Sequence, residues 1–541
     1  MNCTKTLSYI SGLLLGLALL AGCASELKIN EESLSQLQTV AESSDWKATA
    51  LHAEVQQFVD TLVQASDLVR LTEMGKSAEG RSIPLLILAN PPVASPAEAQ
   101  ATGKLVVYAQ GGIHSGECCG KEALLMLARE IAANPNHPLL DYLVILIAPI
   151  YNPDGNDRVK KDNRPGQEGP VEGMGIRPTA EGYDLNRDNT KLDSPEAQAL
   201  SRMMIEWDPY LVIDTHTTNG SYHQNTLTFD GPVNPAGDPA IIDFVRNMYL
   251  PSVSESLERD TGYKTTFYGN YNRDKSRWTT YDGRPRFGTR ARGIRGIVSI
   301  LTEAYKYAPY KDRVLCTKHF CEHLLNYAAK RHVHIRNLVD HVRASTTILG
   351  MGQSGENLVS IRAKAARLPN DLVLQGWVEK VPEGATGRRA RAVPTAEKRN
   401  YTMEHWGAYE STKDVVRPMA YVFPATMTKL LDKLNQHGVK SEVVPVDLVA
   451  RLEVYRVDEL KRSKRSYQNH NQVSVKVSAR KEVREVKAGM IWVPTAQPLG
   501  NLVVYLLEPE AEDGLTAWNV MDDHLAEKQD FPVIRVLHKG G

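Results

Sequence analysis

From about residue 104 onward, short apolar runs alternate with segments whose apolar positions recur at helical spacing. "KLVVYAQ", "YLVILIAPI", "YLVIDTH" and "GIVSILTE" are continuous enough to be strands buried on both faces. Between them, residues 119–133, a segment opening at "SPEAQALSRMMIEW", "PAIIDFVRNMYLPSVSESLE" and a long stretch from about 311 to 343 predict helices. Ser194 suits the N-cap of the second of these and Pro195 its first turn. Upstream, residues 30–72 are helical in pattern, "MGKSAEGRSIPLLILAN" is a turn leading into a strand, and "VASPAEAQATG" is a connector. The glycine-rich stretch ending in "GYDLNRD" predicts a long loop. The alternation predicts an α/β fold: a mixed, mostly parallel sheet with helices on both faces.

Past "STTILGMGQSGEN" the pattern changes. Short strands such as "LVLQGWVE", "ARLEVYRV", "VSVKVS" and "NLVVYLLEP" follow one another, with one helix near "TMTKLLDKLNQ". A β-rich accessory domain over 355–541 therefore follows a first domain over 24–345. The basic run "EGATGRRARAVPTAEKR" reads as a solvated loop.

The first 23 residues stand apart. One lysine, an apolar run and a small-residue end make a secretory signal, too short for a confident membrane span. Its close, "LAGC", resembles the bacterial lipobox, which implies lipidation of Cys23 and a cell-envelope protein, on the periplasmic face of an outer membrane where one exists. Ordinary cleavage nearby is the plainer alternative.

Composition removes some functions. The 64 basic and 64 acidic residues cancel, so no bulk field favours nucleic acid. At 541 residues the chain is too long for one core, and its oligomeric state cannot be read. Cys118, Cys119, Cys316 and Cys321 would lie in an oxidising compartment and read as buried small residues or disulfide partners, with thiolate ligation of a metal by Cys118 or Cys119 the less favoured reading.

The candidate chemistry sits where strands end, the place where open α/β sheets gather their sites. His114 and Glu117, three apart in "GGIHSGE", can share one metal ion. "NPDG" follows a second strand, with Asn152 and Asp154 as turn residues. His216 ends a third and Glu303 a fourth. His223, in a loop beyond the third strand, competes with His216 as a ligand.

These motifs in this order resemble the zinc metallocarboxypeptidases, the carboxypeptidase A-like fold, over about residues 45–345: "GKSAEGRSIPLL", "HSGE", "NPDG", "DLNRD", "DTH" and "LTEAY". The resemblance implies one zinc ion on His114, Glu117 and His216, with Glu303 as general base toward water. It implies that Asp184 orients the first histidine, and that Asn186 and Arg187 hold the substrate's terminal carboxylate. The family's carbonyl-polarising cation falls on Lys161 or Arg164, and its substrate-capping tyrosine on Tyr281. The partner implied is a peptide or peptide-like substrate with a free carboxylate. Alternatives are an amidase or peptidase acting on peptidoglycan stem peptides or small acylated amino acids, and a non-catalytic binding protein on a peptidase scaffold.

Overall fold

The structure is a computed structural model that describes residues 34–218, 220–352, 357–384 and 392–539. The signal segment with Cys23, and residues 385–391 of the basic run, lie outside the described residues; the end of that run, from Val393, is strand rather than loop.

The first part of the chain is built on strands β1 (Val69–Lys76), β2 (Ser82–Leu88), β3 (Leu105–Gln110), β4 (Leu143–Ala148), β5 (Leu211–Thr218), β6 (Leu227–Asp230), β7 (Thr265–Phe267), β8 (Asn270–Tyr271), β9 (Arg277–Thr279) and β10 (Val298–Tyr305). Eight of them form one sheet in the order β1-β2-β4-β3-β5-β10-β6-β7. The central strands β4, β3, β5 and β10 run parallel, as do β6 and β7, while β1–β2, β2–β4 and β10–β6 are antiparallel. This is the mixed, mostly parallel sheet expected.

Helices cover both faces. Alternate residues of one strand serve opposite layers: Leu105, Val107 and Ala109 of β3 enter one core, Val106 and Tyr108 the other. The first layer is closed by α1 (His52–Ala65), α2 (Cys119–Ala132), α5 (Tyr310–Lys330) and α6 (His332–Met351), the second by α3 (Pro195–Trp207). A short α4 (Gly288–Ile294) precedes β10. Ser194 caps α3, accepting from the Ala197 N–H. At the start of α2, Gly120 is required by packing, because a Cβ there would lie 2.0 Å from Thr215 Oγ1 on β5.

The β-rich part comprises β11 (Leu358–Ala366), β12 (Leu372–Lys380), β13 (Val393–Trp406), β14 (Ala408–Val416), β15 (Ala420–Phe423), β16 (Glu442–Val443), β17 (Leu448–Arg462), β18 (Val473–Val486), β19 (Ile491–Pro494) and β20 (Ile534–Lys539), with helices α7 (Thr428–Gln436) and α8 (Gly500–Leu507). Six strands make one sheet, and β11 pairs with β14. A third sheet, β12-β13-β9-β8, joins strands from both halves of the chain.

Several expected elements differ. Residues 69–72, read as helical, begin β1. "VASPAEAQATG" contains a helix, Pro96–Ala101, because Ser95 accepts from Glu98 N–H and Pro96 opens the first turn. The long helix is two, broken at Arg331. "NLVVYLLEP" is α8 rather than a strand: its apolar run is buried almost all round, so it carries no period to separate the two.

Candidate metal centre and substrate pocket

Parallel strands β3, β5 and β10 bring their carboxyl ends to one edge of the sheet. Past β3, Gly112 at φ +67 turns the chain so that its carbonyl accepts from Asn152 N–H, and the loop delivers His114 and Glu117 before α2 begins. On the neighbouring pair, the register sets His216 of β5 directly beside Glu303 of β10.

Ligand atoms of His114, Glu117 and His216 all lie within 4.8 Å of one another, and all three side chains are buried. His114 Nδ1 is 3.1 Å from Glu117 Oε1, His216 Nδ1 is 3.0 Å from Glu117 Oε2, and the two Nδ1 atoms are 3.2 Å apart. Each ring turns its other nitrogen to an aspartate. His114 Nε2 donates to Asp184 Oδ1 at 2.9 Å, and His216 Nε2 lies 3.3 Å from Asp214 Oδ1, off the line of a good hydrogen bond. With the Nε2 protons facing carboxylates, both Nδ1 lone pairs and a carboxylate converge on one point. Such a donor set fits a divalent cation, with each imidazole backed by an acid.

Electrostatics agree. Burial disfavours a charged His216, yet Asp214 and Glu117 outweigh it and push the imidazole up to about 10. Burial likewise opposes charge on Asp184, but His114, Arg177 and Arg187 hold it well below the usual carboxylate range. The cluster thus favours positive charge, of the kind a metal ion would supply. Glu303 behaves oppositely. Burial pushes it up to about 8, with the charge of Glu117 adding and that of His216 subtracting, and its Oε2 is buried without a hydrogen-bond partner.

These groups open on a cavity of about 400 Å³. Asn186, Arg187, Tyr281 and Phe287 line its other side. Asn186 Oδ1 accepts from the Gly288 N–H at 2.9 Å, which fixes the amide at the start of α4. The Arg187 guanidinium stacks 3.9 Å over the Phe287 ring. Tyr281 lies between Phe287 and Arg290, whose guanidinium is 3.8 Å from its ring centre.

The two candidates for a carbonyl-polarising cation do not line this cavity. An antiparallel bridge between Lys160 and Met174 folds the intervening chain into a turn that leaves Lys161 exposed. Arg164 donates to Glu117 Oε1 at 2.9 Å and to the Thr217 carbonyl at 3.0 Å, behind the cluster. Besides Arg187, the guanidinium that lines the cavity is that of Arg177, whose Nε donates to Asp184 Oδ2 at 2.9 Å. Sequence reasoning missed it, since nothing in a glycine-rich loop marks one arginine among several. It also missed Asp214, although a strand's period of two sets that residue on the same face as His216.

The remaining candidates have structural places. His223 packs 4.3 Å from Tyr305, outside the cluster. Asn152 caps the helix Pro153–Asp157, and Asp154 is held by Ser77, the Glu79 N–H and Arg81. Cys118, Cys119, Cys316 and Cys321 are buried free thiols, and none joins the ligand cluster.

Residues 55–233 match the family model described as zinc carboxypeptidase. Carboxypeptidase 2 of Trichophyton rubrum is 22% identical over 498 residues, covering 88% of this chain and 85% of that protein. Carboxypeptidase D of Mus musculus is 26% identical over 220 residues, 39% of this chain and 15% of that one. Among solved structures, a metallo-carboxypeptidase from Burkholderia cenocepacia aligns at 19% identity and a TM-score of 0.38, over 51% of this chain and 68% of that chain. Carboxypeptidase A from Helicoverpa armigera aligns at 18% identity and a TM-score of 0.38, over 59% and 81%. Over residues 55–233 the chain is thus similar to the zinc carboxypeptidase family, and along most of its length to carboxypeptidase 2.

Proposed function

We propose that this protein is a zinc-dependent carboxypeptidase that removes single residues from the free carboxyl end of peptides. The observation that carries the reading is the meeting of two imidazole Nδ1 atoms and one carboxylate beside an unpartnered, buried Glu303 oxygen. His114, Glu117 and His216 would hold the ion at the wall of the cavity they line. Zinc in a three-ligand site supplies Lewis acidity and an activated water.

The protein's own groups do the rest. Glu303, paired in register with His216, takes a proton from the attacking water and returns it to the departing nitrogen. Arg177 faces the cavity from the side of Asp184 and stabilises the negative charge that develops on the carbonyl oxygen. Asn186 and Arg187 grip the terminal carboxylate, for which a guanidinium braced on an aromatic ring is well suited. Tyr281 closes the same end. Carboxylate recognition there makes the enzyme an exopeptidase.

The test combines metal analysis with a peptide library bearing free or amidated carboxyl ends. One zinc per chain and release of single residues from free ends alone are expected. Glu303→Gln should retain zinc and lose about 10²–10⁴-fold in kcat. A Glu303→Gln protein as fast as the native one would remove the assignment.

A further inference from the structure

The loop that carries Asp184, Asn186 and Arg187 is tied down from the far end of the chain. His437 Nε2 donates to the Thr190 carbonyl at 2.8 Å, and Lys433 donates to the Leu192 carbonyl at 3.0 Å. His470 Nε2 is 2.7 Å from Asp193 Oδ2. The contact nearest the metal centre is made by Gln468, whose Oε1 accepts from the Asp184 N–H at 2.9 Å across 284 positions of sequence.

Gln468 reaches Asp184 from a tight turn between β17 and β18. Tyr467 and His470 exchange backbone hydrogen bonds of 2.9 and 3.0 Å, and the residues between them, Gln468 and Asn469, have φ of 51° and 64°. Two positive φ values closing a two-residue hairpin match type I′ geometry, where asparagine and glycine are favoured. A glutamine at the first position breaks that preference, and its extra methylene supplies reach that asparagine lacks. Local rules broken in this way mark sites held for function. The base of the turn is fixed: the Arg286 guanidinium lies 5.2 Å from the Tyr467 ring and 4.8 Å from that of Trp518, and His470 Nδ1 is 2.9 Å from Asn519 Oδ1.

We propose that Gln468 is a positioning residue, through which the β-rich part sets the backbone of Asp184 and so orients both the His114 ligand and the Asn186–Arg187 clamp. The contact runs through one residue with two duties. The Asp184 carboxylate receives His114 Nε2 at 2.9 Å and the Asn186 N–H at 3.0 Å, so a shift in its main chain moves ligand and clamp together. This rests on reading the centre as a carboxypeptidase site.

The experiment uses the full zinc-loaded chain and two substitutions. Gln468→Leu removes the acceptor at nearly constant size, while Gln468→Glu keeps an acceptor oxygen at the same reach. For Gln468→Leu, kcat/KM on a peptide with a free carboxyl end should fall about 5- to 30-fold, mostly through KM. Zinc should pass to a competing chelator severalfold faster, with Tm within about 2 °C of native. Gln468→Glu should recover to within about threefold of native on both readouts. A leucine variant indistinguishable from native on both, or a glutamate variant as impaired as the leucine one, overturns the proposal. If the native chain releases no terminal residue, the carboxypeptidase reading fails, and chelator competition alone still decides the role of Gln468.

Discussion

His114 and His216 meet Glu117 through Nδ1, and each is backed by an aspartate through Nε2. The aspartate behind His216 is itself held, by Gln110 Nε2 at 2.8 Å and the Arg292 guanidinium at 3.2 Å. Asp214→Asn keeps the shape and removes the charge, so zinc affinity measured by chelator competition should fall about 10- to 100-fold. An unchanged affinity would show that His216 needs no backing. A second prediction concerns pH. In the proposed mechanism Glu303 must be ionised to act as base, so activity should fall as pH drops through its pKa. Burial raises that pKa, while the charges of His216, Arg164 and Arg177 lower it. Replacing Arg177 by methionine removes one of the lowering charges, and the acid limb of kcat/KM against pH should move upward. A limb that stays in place would mean Arg177 does not sense Glu303. The clustered residues His114, Glu117 and His216 stand out in the sequence because each is a polar residue at or just past the end of an apolar run. Arg177 does not, because its place depends on how a glycine-rich loop folds back on Asp184.

Among elements, those with a cap or a clear period were readable, as Ser194 and α3 illustrate. The short strands β6 to β9 and the helix α8 were not, since they take their form from neighbours rather than from their own pattern. Helix α7 illustrates how one element registers pH. At its end His437 is buried against Thr190, and burial, joined by the nearby charge of Arg295, pushes its imidazole down to about 3. The sign follows from linkage: the unfolded chain binds this proton below about pH 6.5 and the folded chain does not. The stabilisation is therefore complete above that pH and is lost as pH falls from 6.5 toward 3, at up to about 1.4 kcal/mol per unit. His437→Gln should flatten the acid side of a plot of Tm against pH in that window. An unaltered slope would assign the acid response to other groups.

At the scale of the whole molecule, the sequence shows a change from alternating helices and strands to mostly strands with one helix. What the pattern could not convey is how closely the parts share structure. The sheet β12-β13-β9-β8 draws strands from both, and Ala236 and Ile294 of the first part sit in the core of the second. The buried pair Arg286–Asp513, with Nε to Oδ1 at 2.9 Å, joins them again. A chain ending at residue 352 would leave that core open and an arginine buried without its partner. It should therefore be insoluble or lack a cooperative melting transition. A truncated form with native-like melting and full activity would show the second part to be dispensable.

The pairing of His216 with Glu303 across β5 and β10 has one more consequence. Both faces of β10 are covered, so greasiness alone does not choose which set of its residues looks toward the cavity. Under the proposed mechanism, the reading frame of hydrogen bonding between two adjacent ribbons is thus part of the catalytic apparatus. One residue inserted in the middle of β10 would send Glu303 to the wrong side, and the proposed reaction should stop in a protein whose every polar group is still encoded.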